Sequence, residues 1–183
     1  LPRVPDWYDV VLGCIKLGAV PMPATTLLTP RDIAYRLNSA EASVVVVDAE
    51  ATTKVNQVAA DCPSLRTRVY LAGGYGGIPD EASDQAGGWD SWADGLAAAG
   101  DGPPEAEPTR SDDPMLLYFT SGTVAYPKMV LHTQASAGIG HQITARFWQD
   151  LKPTDLHWTV SDFGWAKAAW GKLFGQWALG AAN

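Results

Sequence analysis

The sequence predicts an α/β fold, with a parallel or mixed sheet flanked by helices. Val44-Val45-Val46-Val47 is a β-branched run without polar alternation, the pattern of a strand buried on both faces of a parallel sheet. A helical stretch over about residues 50–60 follows, then a strand over about 67–71. Strand, helix and strand in that rhythm make a βαβ unit. The chain has 183 residues, 46% of them hydrophobic and 18% charged, enough for one domain with a sizeable core.

The other elements follow in order. Asp6 is placed to cap a helix over about residues 7–17, with Trp7, Val10, Val11, Cys14 and Leu17 at helical spacing and Gly18 at its end. Val20-Pro21-Met22-Pro23 is extended. Thr29-Pro30 is an N-cap and first-turn pair for a helix over about 30–40, with Ile33, Leu37 and Ala40 on one face. Gly73 to Gly77 opens a long irregular stretch, interrupted by a short helix near Trp89–Ala99. Asp101 to Pro114, rich in proline and acid, reads as an exposed connection; a subdomain boundary near 100–114 is the alternative. Met115–Phe119 is a strand, and a second lies near Met129–Leu131. Thr133 starts a helix over about 134–148, His157–Val160 is a strand, and Ala166–Leu179 is a final helix dense in aromatics.

The bulk properties exclude some function classes. A net charge of −7 argues against a nucleic-acid surface. No apolar run is long enough to span a bilayer as a helix. Cys14 and Cys62 lack metal-ligand spacing and read as buried free thiols of a reducing compartment, so a cytoplasmic location is expected. The first residues read as the tail of a strand and the last stop where a strand should follow a helix, so a segment of a longer protein is expected.

One stretch carries chemistry. Thr120-Ser121-Gly122-Thr123-Val124-Ala125-Tyr126-Pro127-Lys128 follows the Met115–Phe119 strand. Small hydroxyl residues in a tight turn after a strand aim N–H and O–H groups at one anion, and a lysine adds a mobile point charge. A polyphosphate suits such a turn. The P-loop pattern of nucleotide triphosphatases is absent. A plain Ser/Thr turn is the bland alternative. Trp158, Trp170 and Trp177 read as core, His132 as a hydrogen-bonded structural histidine, and Lys167 as a solvated helix lysine. His141 and His157 have no partners visible in sequence.

Three stretches together resemble one family. Thr-Ser-Gly-Thr-x-x-x-Pro-Lys at 120–128 is similar to the phosphate loop of the adenylate-forming superfamily of acyl-CoA synthetases, luciferases and adenylation domains. Leu1–Trp7, Gly13–Pro23 and Thr29–Leu37 resemble the early N-terminal domain of its medium-chain acyl-CoA synthetases. Ser161-Asp162-Phe163-Gly164-Trp165-Ala166-Lys167 resembles that branch's aromatic motif beside the acyl pocket.

The resemblance implies part of an N-terminal AMP-binding domain spanning 1–183, without the C-terminal domain. It implies a parent ligase of fatty acid metabolism that joins a medium-chain or aromatic carboxylate to coenzyme A with ATP and Mg²⁺. Residues 120–128 would grip the phosphates, Thr123 would lie near the metal, and Gly164 and Trp165 would line the acyl pocket. No residue here is assigned to catalysis. The later Tyr-Gly-x-Thr-Glu and Thr-Gly-Asp motifs and the catalytic lysine have no match, so the segment alone is expected not to turn over.

Four positions depart from the family pattern. Val124 replaces a hydroxyl and Ala125 a glycine, where a positive φ would cost a Cβ-bearing residue about 1 kcal/mol or more. Ala24 replaces a glycine, and Leu27 stands where a polar residue often approaches coenzyme A. A non-catalytic nucleotide-binding or structural remnant is therefore the second reading, and a flavodoxin-like redox domain a third that nothing in the sequence asks for.

Overall fold

The computed structural model describes residues 1–72, 87–102, 105–120 and 126–182. Gly73 to Gly77, expected to open an irregular stretch, lie outside them. The chain divides into two compact units, Leu1–Val4 with Thr26–Pro103, and Pro5–Thr25 with Pro104–Asn183.

The first unit is built on a parallel sheet ordered β1-β2-β3, with β1 at Val44–Asp48, β2 at Thr67–Leu71 and β3 at Asp90–Ser91. The βαβ reading holds: α3, Ala49–Asn56, connects β1 to β2, and Val46 pairs with Val69. Asp48 ends β1 and caps α3 through its side chain, which accepts from Ala51 N at 2.9 Å. The other expected helix of this unit, α2, spans Pro30–Ser39. It starts in a reciprocal capping box between Thr29 and Asp32, and that hydrogen bonding holds the Asp32 carboxyl below its usual range. Val55, Tyr70 and Trp89 form the core, with Ile33, Val45, Val47 and Leu65 against it. Asn56 Oδ1 accepts from Trp89 Nε1 at 2.9 Å and from Arg68 Nη1 at 3.0 Å.

Two expectations for this unit need correction. The valine run is not buried on both faces: Val44 is 50% exposed, and Val45 and Val47 alone of the four pack on the core. Strand period two sends alternate valines to opposite faces, and Val45 and Val47 share the face that meets the core. The short helix α4 occupies Trp92–Ala98 only, because the residues before it form β3.

The second unit contains an antiparallel pair, β4 (Pro114–Thr120) and β5 (Lys128–Thr133). Met115, Leu116, Tyr118, Ala137 and Ala169 form its core, joined by Ile15, Ala166, Trp170 and Phe174. The first helix, α1, spans Asp6–Lys16; its N-cap is Pro5 and Asp6 is its first residue, so Asp6 does not cap it. Trp7 and Val11 are buried while Leu17 is exposed, and Gly18 follows the helix at φ +67°. Helix α5, Gln134–Ile143, starts in a Thr133–Ser136 capping box and then widens into a π-helical turn at Thr144–Trp148.

The expected last helix is interrupted. Helix α6 (Ala166–Ala168) passes into a π-helical turn at Ala169–Leu173 and then α7 (Phe174–Ala178). His157–Val160 is not a ladder strand: one parallel bridge joins Leu156 to Ala182, with His157 N donating to Ala182 O at 2.8 Å. Trp158 is 86% exposed, and Trp177 is exposed as well, so neither is core. Cys14 and Cys62 are free, Cys62 buried and Cys14 partly so, and desolvation pushes both thiols up.

Candidate functional site

The β4–β5 register closes the hydroxyl-rich stretch at its base. Thr120 pairs with Lys128, and Thr120 Oγ1 donates to Lys128 O at 3.4 Å. Cross-strand partners share a face, and side chains alternate along each strand. Thr120, Lys128, Tyr118, Leu116 and His132 therefore stand on one face of the pair. Tyr118 and Leu116 are buried at the helix-covered end, whereas Thr120 and Lys128 are exposed at the open end. Lys128 has no ion pair among the described residues. Ser121, Gly122, Thr123, Val124 and Ala125 lie outside the described residues. Tyr126 is exposed and Pro127 half-buried.

The second stretch is a tight turn. Asp162 Oδ1 accepts from Gly164 N at 2.8 Å, and Asp162 O accepts from Trp165 N at 3.1 Å. An aspartate that accepts from its own backbone two residues on is a local turn device. Phe163 is buried, its ring 4.3 Å from Trp7 and 5.4 Å from Tyr8. Tyr8 in turn stacks on Trp177 at 5.2 Å. Gly164 lies on the Ala24–Thr25 backbone, where a Cβ would land on Thr25 N and Ala24 C. Trp165 is the N-cap residue of α6 and is 60% exposed. Sequence reasoning singled out Gly164 and Trp165 but missed their supports, Trp7, Tyr8 and Asp162. The Asp-x-Gly spacing was the available signal for the turn.

The helix that begins after Trp165 ties the two stretches together. Ala166, Ala169 and Trp170 pack with Leu116 and Tyr118 of β4. His132 meets the Trp170 ring edge-on at 5.0 Å. His141 meets the same indole at 4.0 Å and stacks on Phe174 at 5.3 Å. Burial lowers the pKa of His141 to about 4, the Ala137 carbonyl one turn earlier pulling weakly the other way. His132 is lowered by the same cause, and burial pushes the Tyr118 phenol up. His157 Nε2 meets Thr159 Oγ1 at 2.7 Å, and Lys167 is exposed as expected.

Among the described residues, no group of three His, Cys, Asp or Glu side chains is arranged to hold a metal ion. Thr120 and Lys128 are exposed at the open end of the strand pair, where the Lys128 ammonium offers three donors to solvent. No helix among the described residues is long and apolar enough to cross a membrane.

Human mitochondrial acyl-coenzyme A synthetase ACSM4 is 39% identical over 181 residues, 99% of this chain and 29% of that protein. Mouse mitochondrial acyl-coenzyme A synthetase ACSM5 is 38% identical over 183 residues, again 99% of this chain and 29% of that protein. The chain thus spans about 29% of the length of these curated relatives. A crystal structure of the anthranilate CoA ligase AuaEII in complex with anthranoyl-AMP superposes with a TM-score of 0.87 at 24% identity, over 99% of this chain and 33% of that one. A Brucella canis acyl-CoA synthetase gives 0.82 at 24%, over 100% and 31%. At that identity the two structures establish the fold: a mixed α/β arrangement matching part of such ligases.

The expected cytoplasmic location is corrected by these relatives, which are mitochondrial. Unpaired thiols mark a reducing compartment without saying which one. The AMP-binding enzyme family matches residues 1–183, the whole chain, and with the hairpin and aromatic turn in place the chain belongs to that family.

Proposed function

We propose that this chain is part of an acyl-CoA synthetase that activates a medium-chain or aromatic carboxylate. In the first half-reaction a carboxylate oxygen attacks the α-phosphorus of ATP, and pyrophosphate leaves. In the second the thiol sulfur of coenzyme A attacks the acyl carbon, and AMP leaves. Residues Thr120 to Lys128 would hold the β- and γ-phosphates, and Thr123 would help hold a Mg²⁺ ion, which would supply neutralisation of their charge. Gly164 and Trp165 line the acyl side.

The observation that supports this most is the family match over the whole chain, joined to a hairpin that brings Thr120 and Lys128 together at an exposed mouth. A lysine there stabilises the charge that builds on the leaving pyrophosphate, and it needs no proton transfer to do so. The indole of Trp165 presents a rigid apolar wall.

An ATP titration of the chain in Mg²⁺ tests the phosphate grip. Lys128→Ala should weaken ATP about tenfold or more, the worth of a charge-assisted hydrogen bond. Equal affinity in both proteins would remove Lys128 from the grip.

A further inference from the structure

The helix after Trp165 changes its winding before it docks. Helix α6 gives way at Ala169–Leu173 to a π-helical turn, which passes into α7. A π turn closes i to i+5, and such turns recur at functional sites. Two carbonyls of this one are met by side chains from outside it. Trp170 O accepts from Gln176 Nε2 at 3.1 Å, and Gly171 O accepts from Thr159 Oγ1 at 2.7 Å.

Both donors are themselves fixed. Gln176 is fully buried, and its Nε2 also donates to Gln149 Oε1 at 3.0 Å. Flipping the amide would set its oxygen against the Trp170 carbonyl, so its orientation is determined. The Thr159 hydroxyl has one proton and gives it to Gly171 O, so it accepts from His157 Nε2 at 2.7 Å. His157 and Thr159 stand two apart on one side of an extended segment, while Trp158 between them points to solvent.

We propose that Gln176 and Thr159 are positioning residues that lock this turn and so set the direction of Trp165. A π turn holds one residue more than an α turn, and one residue is about 100° of helix rotation. The C-terminal side is anchored where Phe174 stacks on His141. Everything before the turn, Trp165 included, is therefore rotated relative to a regular helix. Releasing the two carbonyls lets the turn rewind, and because Phe163 and Gly164 are held on Trp7 and the Ala24–Thr25 backbone, the adjustment falls on Trp165 between them. That this indole is a wall of the carboxylate pocket rests on the function proposed above; the lock itself does not.

Fluorine NMR of the 183-residue chain labelled with 5-fluorotryptophan tests it, with Trp165→Phe and Trp89→Phe assigning two resonances. Thr159→Val keeps the shape and loses the hydroxyl; it should move the Trp165 resonance beyond its linewidth and leave Trp89, in the other unit, in place. Gln176→Leu should do the same, and Thr159→Ser should restore the wild-type position. A folded Thr159→Val protein with Trp165 unmoved overturns the proposal. Should both variants fail to fold, the wild-type chain decides. Slow solvent exchange of the Gln176 amide protons supports the lock, and exchange at the rate of an exposed glutamine overturns it. Octanoate that leaves the Trp165 resonance unchanged while the lock is intact removes the pocket reading alone.

Discussion

Phe163 packs on Trp7 with ring centroids 4.3 Å apart and planes 32° from parallel. The contact joins the first helix of the second unit to a turn more than 150 residues later in the chain. Both side chains are buried, so the pair anchors the segment that carries Gly164 and Trp165.

Removing that anchor should be costly. Phe163→Ala is expected to destabilise the unit by about 3–5 kcal/mol through lost burial and a cavity. The Trp7→Ala, Phe163→Ala double variant should lose less than the sum of the singles by about 0.5–1.5 kcal/mol, because the two rings share one contact. Urea unfolding of the four proteins measures both quantities. A Phe163→Ala cost below 1 kcal/mol would show that the ring is not an anchor.

The same substitution should have opposite signs at two glycines. In Gly164→Ala the new Cβ meets the Thr25 and Ala24 backbone, which cannot rotate away, and a loss of about 1–3 kcal/mol is expected. Gly13 lies inside α1 with nothing within 4 Å of its Cβ position. Gly13→Ala should raise stability by up to about 1 kcal/mol through helix propensity. Midpoints of thermal unfolding that move in the same direction for both would contradict this packing.

Stability should fall in mild acid, and His141 sets much of the slope. Its folded pKa of about 4 lies below its ordinary 6.5. Between those values the unfolded chain takes up a proton that the folded chain refuses. Stability is therefore full above about pH 6.5, declines as the pH drops, and stops declining from this source near pH 4; the gap converts to about 3 kcal/mol at most. His132, lowered by the same burial, adds to the slope with the same sign. His141→Phe keeps the stack on Phe174 and cannot be protonated, so its urea midpoint should fall less between pH 7 and 4.5. An equal fall in wild type and variant would assign the acid sensitivity to other groups.

The elements that sequence rendered legible are those set by local chemistry. Thr29-Pro30 and Thr133 start helices because capping involves residues three apart. The βαβ unit shows because its strands and helix have different periods. The misreadings fall where a distant partner decides. His157–Val160 has strand-forming residues, yet it forms one bridge, to Ala182. Trp158 reads as core by residue type and faces water, because its neighbours on either side occupy the inward positions. The last helix looks continuous in composition, and two carbonyls of its π turn accept from the side chains of Thr159 and Gln176.

The candidate site divides in the same way. Its residue types and their order, Thr120 through Lys128 and Asp162 through Trp165, are given by the chain itself, and the Asp162–Gly164 turn depends on near neighbours. Tertiary structure alone decided that Thr120 meets Lys128 across a strand pair, that Phe163 is seated on Trp7, and that His141 is a dry, neutral ring beneath Trp170. These depend on register and burial. Both come from contacts between segments far apart in sequence, and no local pattern encodes them.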